Sequence, residues 1–158
     1  MRGFVLQDWV TIRGATAITQ ITQNESGWLS LEMYQDAIFW LQASEVTLGG
    51  ATTINVNYQT APIKDETLFV NMGSGGPALT AAAQMPTPKI TSIILSAIGS
   101  NTPLSRWVRW QLVPTASPAG IWDITFRILV SCNQLFTSGT AGGGYGGGGG
   151  GGWGQQMR

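Results

Sequence analysis

Residues 122–130 alternate with a period of two: Trp122, Ile124, Phe126, Ile128 and Val130 fall on one side, Asp123, Thr125 and Arg127 on the other. A pleated strand with one buried face puts every second side chain in the same environment, whereas a helix would scatter these residues around its circumference. Residues 53–59 repeat the pattern, with Ile54, Val56 and Tyr58 inward and Asn55, Asn57 and Gln59 outward. Residues 106–113 do so again, with Val108, Trp110 and Leu112 on one face and Trp107, Arg109 and Gln111 on the other. This chain is built for sheets.

Residues 37–46 open with the continuous apolar run Ala37 to Leu41, whose Ile, Phe and Trp favour a strand buried on both faces. Shorter candidates are 8–13, 17–22, 28–32, 67–70 and 90–95, and residues 78–85 read as the one short helix, stopped by Pro86 and Pro88. Turn signals separate them: Gly14, 24–27, Gly49-Gly50, 73–77, 99–101 and 114–120. Short strands at this spacing predict an all-β fold, a two-sheet antiparallel jelly-roll-like sandwich of about eight strands over residues 4–133. The expected inward set is Phe39, Leu41, Ile54, Val56, Tyr58, Val108, Trp110, Trp122, Ile124, Phe126 and Ile128. Pairing Val113 with Ile121 across the 114–120 loop would set Arg109 opposite Thr125, Trp110 opposite Ile124 and Trp107 opposite Arg127, the last a cation–π contact.

With 158 residues, 43% of them hydrophobic, the chain supports one domain, expected over residues 1–138. Charged residues are only 10%, against ~25% in an ordinary soluble domain. Eight basic residues balance eight acidic ones, and a surface so poor in charge tends to associate. No basic stripe is present for phosphates, so nucleic acid is not an expected partner. No run of 18 apolar residues is present for a membrane, and the apolar start is too short for a signal peptide. Synthesis in a reducing cytoplasm without export is the expectation.

The chain has no histidine, which removes the commonest acid–base group and every Ser-His-Asp or Cys-His arrangement. Cys132 is the single cysteine; it cannot form an internal disulfide and reads as a strand-end thiol, not a nucleophile. Zinc-type clusters are missing, and Lys64-Asp65-Glu66 is a weak calcium candidate because Lys64 competes with a cation. Glu32, Asp36, Glu45 and Asp123 could act as paired carboxylates only if the fold brought them together, and nothing in their spacing asks for it. The expectation is a non-enzyme with no catalytic residue, no cofactor and no metal.

Tryptophan is more informative. Trp28, Trp40, Trp110 and Trp122 have natural inward placements, while Trp9 and Trp107 are read as outward, where an indole can fill a partner's pocket or stack on a sugar. Residues 139–158 form a separate tail; half of the chain's 22 glycines lie between Gly142 and Gly154. Glycine has the most backbone entropy to lose and no side chain to repay it, so ordering such a tail requires contacts from another chain. Tyr145 and Trp153 are the expected anchors there, which with Trp9 and Trp107 completes the set of candidate partner-binding residues.

Residues 28–131 resemble a module of small virion proteins of tailed bacteriophages. The resemblance rests on the strand led by Trp28, the aromatic strand 37–46, the amide-studded strand 53–59, the turn 60–69 and the closing segments 103–110 and 120–128. It implies a jelly-roll sandwich like galactose-binding-like domains. The implied role is a virion structural protein, a capsid-bound accessory or decoration subunit whose partners are the major capsid protein, other virion proteins and further copies of itself. The alternative is a carbohydrate-binding or host-attachment module of a virion.

Overall fold

A computed structural model describes residues 1–15, 20–72, 76–87, 90–91, 102–115 and 120–134. The tail 139–158, with Tyr145 and Trp153, and the domain boundary at 138 lie outside the described residues. In chain order the strands are β1 (Arg2–Gly14), β2 (Ile21–Thr22), β3 (Leu29–Ser30), β4 (Tyr34–Thr47), β5 (Thr53–Ala61), β6 (Val70–Asn71), β7 (Ala78–Leu79), β8 (Ala83–Pro86), β9 (Ile90–Thr91), β10 (Trp107–Thr115) and β11 (Trp122–Gln134). Single 3-10 turns, Glu25–Gly27 and Glu66–Leu68, separate β2 from β3 and β5 from β6.

Two antiparallel sheets result. Sheet A runs β1-β11-β4-β8, with β9 also on β4; sheet B runs β2-β10-β5-β6, with β3 also on β10 and β7 also on β5. The short segments β2/β3, β6/β7 and β8/β9 each share a lane along one neighbour, so each sheet is four lanes wide. The long strands alternate as their sequences dictate: β11 buries Trp122, Ile124, Phe126, Ile128 and Val130, and β5 buries Ile54, Val56 and Tyr58. All eleven residues expected inward are buried in one cluster between the sheets. Each large aliphatic or aromatic side chain removed from water there contributes about 1.5–3 kcal/mol. Phe39 stacks on Tyr58 with centroids 4.4 Å apart, joining sheet A to sheet B.

The hairpin expected between Val113 and Ile121 does not form. β10 and β11 belong to opposite sheets, so the chain passes from one sheet to the other between Thr115 and Trp122. Arg109 therefore lies opposite Gln59, Trp110 opposite Tyr58, and Trp107 opposite Ala61. Trp107 and Arg127 do not meet; Arg127 instead lies 5.0 Å from the Trp9 ring. Alternation specifies which face of a strand is buried, and both a hairpin and a crossing satisfy it. The β4–β5 connection crosses at the same end through Gly49 and Gly50, whose φ values of 58° and 96° fit a type I′ turn closed by Ala51 N–H donating to Leu48 O at 2.9 Å. The two crossings are joined, since Gly120 N–H donates to Gly49 O at 2.7 Å.

Three other expectations change. Residues 78–85 are not helical: β7 pairs with β5 and β8 with β4, so sheet pairing overrides the alanine content. From Ile38 onward β4 is buried on one face only, since β8 extends the sheet beside it without covering its outer side. Trp40 consequently points outward and is 44% exposed. Of the shorter candidates, 67–68 fall in a 3-10 turn, and the strand there begins at Val70.

Candidate functional site

The outer face of sheet B carries the odd-numbered residues of β5 and β10, with Arg109 beside Gln59 and Gln111 beside Asn57. On a free face these side chains would be solvated. Here Gln59, Arg109 and Gln111 are buried. The segments bearing the two 3-10 turns fold back over them, bringing Trp28 from one side and Phe69 from the other, ring centroids 4.6 Å apart. The Arg109 guanidinium carbon lies 4.1 Å from the Phe69 ring centre and 5.2 Å from that of Trp28. Cation–π contacts gain strength where water is excluded, to ~2 kcal/mol or more.

A ladder of polar side chains runs from this clamp across the sheet. Arg109 Nε donates to Gln59 Oε1 at 2.8 Å, and Gln59 Nε2 donates to Asn71 Oδ1 at 3.0 Å and Gln111 Oε1 at 3.3 Å. Gln111 Nε2 donates onward to Thr22 Oγ1 at 3.3 Å and Gln20 Oε1 at 3.4 Å. Every lane of the sheet is thereby tied to its neighbour through side chains as well as backbone. Glu66 Oε1 stands 3.5 Å from Arg109 Nη1, an ion-pair distance too long for a strong hydrogen bond, and Nη1 has no hydrogen-bond partner. Burial lowers the guanidinium pKa and the Glu66 carboxylate opposes that shift.

Beside the clamp lies a cleft of about 210 Å³ lined by Thr22, Gln23, Asn24, Glu25, Trp28, Lys64 and Glu66. Lys64 bridges to Glu25 at 3.2 Å, with its ammonium 5.4 Å from the Trp107 ring and 5.9 Å from the Trp28 ring. Asp65 organises the same loop by accepting from Thr67 N–H at 2.9 Å and Thr67 Oγ1 at 2.7 Å, which holds its carboxyl below the usual range. Gln23 fixes the opposite wall: its Nε2 donates to Leu6 O at 2.8 Å and Gly27 O at 3.0 Å, and its Oε1 accepts from Trp110 N–H at 3.3 Å. The Trp28 indole N–H donates to Gln23 O at 3.1 Å, so the ring is held at its edge.

The outer face of sheet A is different in kind. Val5 pairs with Leu129, Leu129 with Trp40, and Trp40 with Pro86, an apolar row across all four lanes. Val5 is 58% exposed, and Pro86 is exposed as well. Two residues along the strands runs a polar row, in which Arg127 Nε donates to Gln42 Oε1 and Gln42 pairs with Gln84. Trp9, 47% exposed, lies beside Arg127 where β1 is bulged between Gln7 and Val10.

Of the residues selected from sequence, Trp9 lies on the outer face of sheet A and Trp107 half-buried on that of sheet B, so the fold does not bring them together. The Lys64-Asp65-Glu66 run is consumed by ion pairs and a turn cap, and no group of three or more metal-ligating side chains occurs among the described residues. Glu32 pairs with Arg106 at 2.9 Å, while Asp36 accepts from Asn133 N–H at 3.2 Å near the far end of β4 from Glu45. Cys132 is buried, and burial, with Asp36 nearby, pushes its thiol up to about 11. The clamp of Arg109, Trp28 and Phe69 was not selected from sequence. Alternation places Arg109 on an outer face, but no local signal says that loops will cover it.

No protein-family model matches the chain, and no curated protein matches it. Among solved structures, a CBM4 carbohydrate-binding module superposes with TM-score 0.50 at 10% identity, over 82% of this chain and 92% of that one. The fold is a jelly-roll sandwich. A structure of infectious bursal disease virus, Gx strain, aligns with TM-score 0.45 at 12% identity, over 91% of this chain and 32% of that one.

Proposed function

We propose that this chain is a non-enzymatic accessory protein of a virion, bound to the shell through the outer face of sheet A. The apolar row Val5, Leu129, Trp40 and Pro86 carries this reading, because it joins cross-strand neighbours into one contiguous patch on a protein with few charges. Exposed tryptophan is the side chain most often found at the energetic centre of an interface, and Arg127 supplies a polar rim. The resemblance to small virion proteins of tailed bacteriophages supplies the kind of assembly: the major capsid protein or another virion protein as partner, with copies of this chain side by side. Tyr145 and Trp153 of the tail are proposed as a second contact. A subunit that binds only the assembled shell stabilises it by mass action, and no catalytic chemistry is needed.

Gel analysis of purified particles tests the proposal. The chain should be present in fixed ratio to the major capsid protein, and Trp40→Glu should abolish that association while leaving the circular dichroism spectrum unchanged. Undiminished incorporation of a folded Trp40→Glu protein would exclude this face as the contact. A second reading, carbohydrate binding, is favoured by the cleft on the opposite face of the sandwich, and the two faces do not overlap.

A further inference from the structure

We infer that the cleft between the β2–β3 and β5–β6 loops is a binding site for one uncharged sugar ring, a terminal monosaccharide unit. This deepens the second reading and is independent of how sheet A is occupied.

Charge comes first. Lys64 and Arg109 are matched by Glu25 and Glu66, at 3.2 Å and 3.5 Å. The basic groups at the site are therefore paired: an anion would meet two carboxylates, a cation would meet the ammonium and guanidinium. A neutral ligand with hydroxyls that both donate and accept suffers neither penalty. The lining offers what such hydroxyls need, with acceptors on Glu25 and Glu66, donors on Lys64, and both on Thr22 and Asn24. Glu25 and Glu66 have exposed side chains, 65% and 76%, so they can reorient toward a ligand without unfolding either loop. Arg109 is only 5% exposed and keeps one donor, Nη1, unspent directly behind Glu66. A hydroxyl donating to the exposed Glu66 carboxylate makes a charge-assisted hydrogen bond.

Shape comes second. Trp28 lines the cleft, tethered through its N–H to Gln23 and packed against Phe69, so it offers a fixed apolar edge to the C–H groups of a sugar. A volume of about 210 Å³ is below the ~300–1,000 Å³ of pockets for drug-sized ligands, which suits a single ring and excludes buried oligosaccharide. Ligands of that size bind at on the order of millimolar per site. Repetition of the chain around an assembly would convert such weak sites into useful avidity.

The test uses the full chain, uniformly labelled with nitrogen-15, titrated with glucose, galactose, mannose and N-acetylglucosamine, and in parallel with glucuronate and N-acetylneuraminate. At least one neutral sugar, added up to about 50 mM, should shift the Trp28 indole N–H and the amides of Asn24, Glu25 and Lys64. Affinity should fall by about tenfold or more in Asn24→Ala and in Lys64→Met, whose positions are exposed and outside the core. Trp28→Ala is not the deciding variant, because the ring also supports Phe69. Absence of shifts with every neutral sugar, shifts located elsewhere, or equal binding of the anionic sugars would each overturn the proposal. None of these outcomes bears on sheet A docking, which Trp40→Glu tests separately.

Discussion

The indole of Trp122 lies so close over Gly14 that a Cβ built on the glycine would sit 2.1 Å from the ring. The two residues are register partners in sheet A, and Trp122 is fully buried. Glycine is required there for space, not for an unusual backbone angle. Gly14→Ala should destabilise the fold by about 1–3 kcal/mol, the usual cost of overpacking a filled core. A urea midpoint equal to that of the wild type would show that the ring can move aside freely.

Arg109 should be intolerant of its nearest charge equivalent. Lysine retains the charge but loses the guanidinium contacts with the Phe69 and Trp28 rings and the Nε bond to Gln59. Arg109→Lys is expected to cost about 1.5–3 kcal/mol, the range for a buried hydrogen bond to a charged group. Glu66→Gln should change stability by less than about 1 kcal/mol, because that carboxylate is largely exposed. Chemical denaturation of both variants checks the contrast; similar losses would show that the ion pair, not the clamp, holds the loops.

Cys132 predicts a loss of stability in alkali. Burial raises its pKa in the folded state to about 11 from an ordinary 9.0, so the folded chain favours the neutral thiol. This contribution is fully present below pH 9.0 and is lost as the pH rises toward about 11. Tyr58, raised by burial, acts in the same direction at higher pH, so the comparison must be with Cys132→Val. Between pH 8 and 11 the wild type should lose more stability than that variant. Parallel curves would remove the thiol from the account. At neutral pH the native thiol should also resist thiolate-directed reagents that label it after unfolding.

The strand faces were legible because period two is a local property: whichever partner a strand takes, every second side chain points the same way. That is why Ile54, Val56, Tyr58, Val108, Trp110 and the even positions of 122–130 are buried as their spacing requires. Trp40 was not legible, since a run of apolar residues does not say whether another layer will cover its second face. The clefted site was only partly legible. Trp107 could be placed on an outer face, but the partnership of Arg109 with Trp28 and Phe69 joins segments far apart in the chain.

Composition and alternation by themselves determined a charge-poor all-β sandwich without histidine chemistry, together with the eleven core residues that alternate along its strands. Tertiary structure alone decided that β10 and β11 enter different sheets, that one outer face carries an apolar row beside a polar one, and that the other is roofed by loops around a buried guanidinium. The reason is physical. Burial of one face satisfies the hydrophobic effect equally well for many pairings, and the choice among them falls to crossing turns such as Gly49-Gly50 and to long-range side-chain bonds such as Gln23 to Leu6.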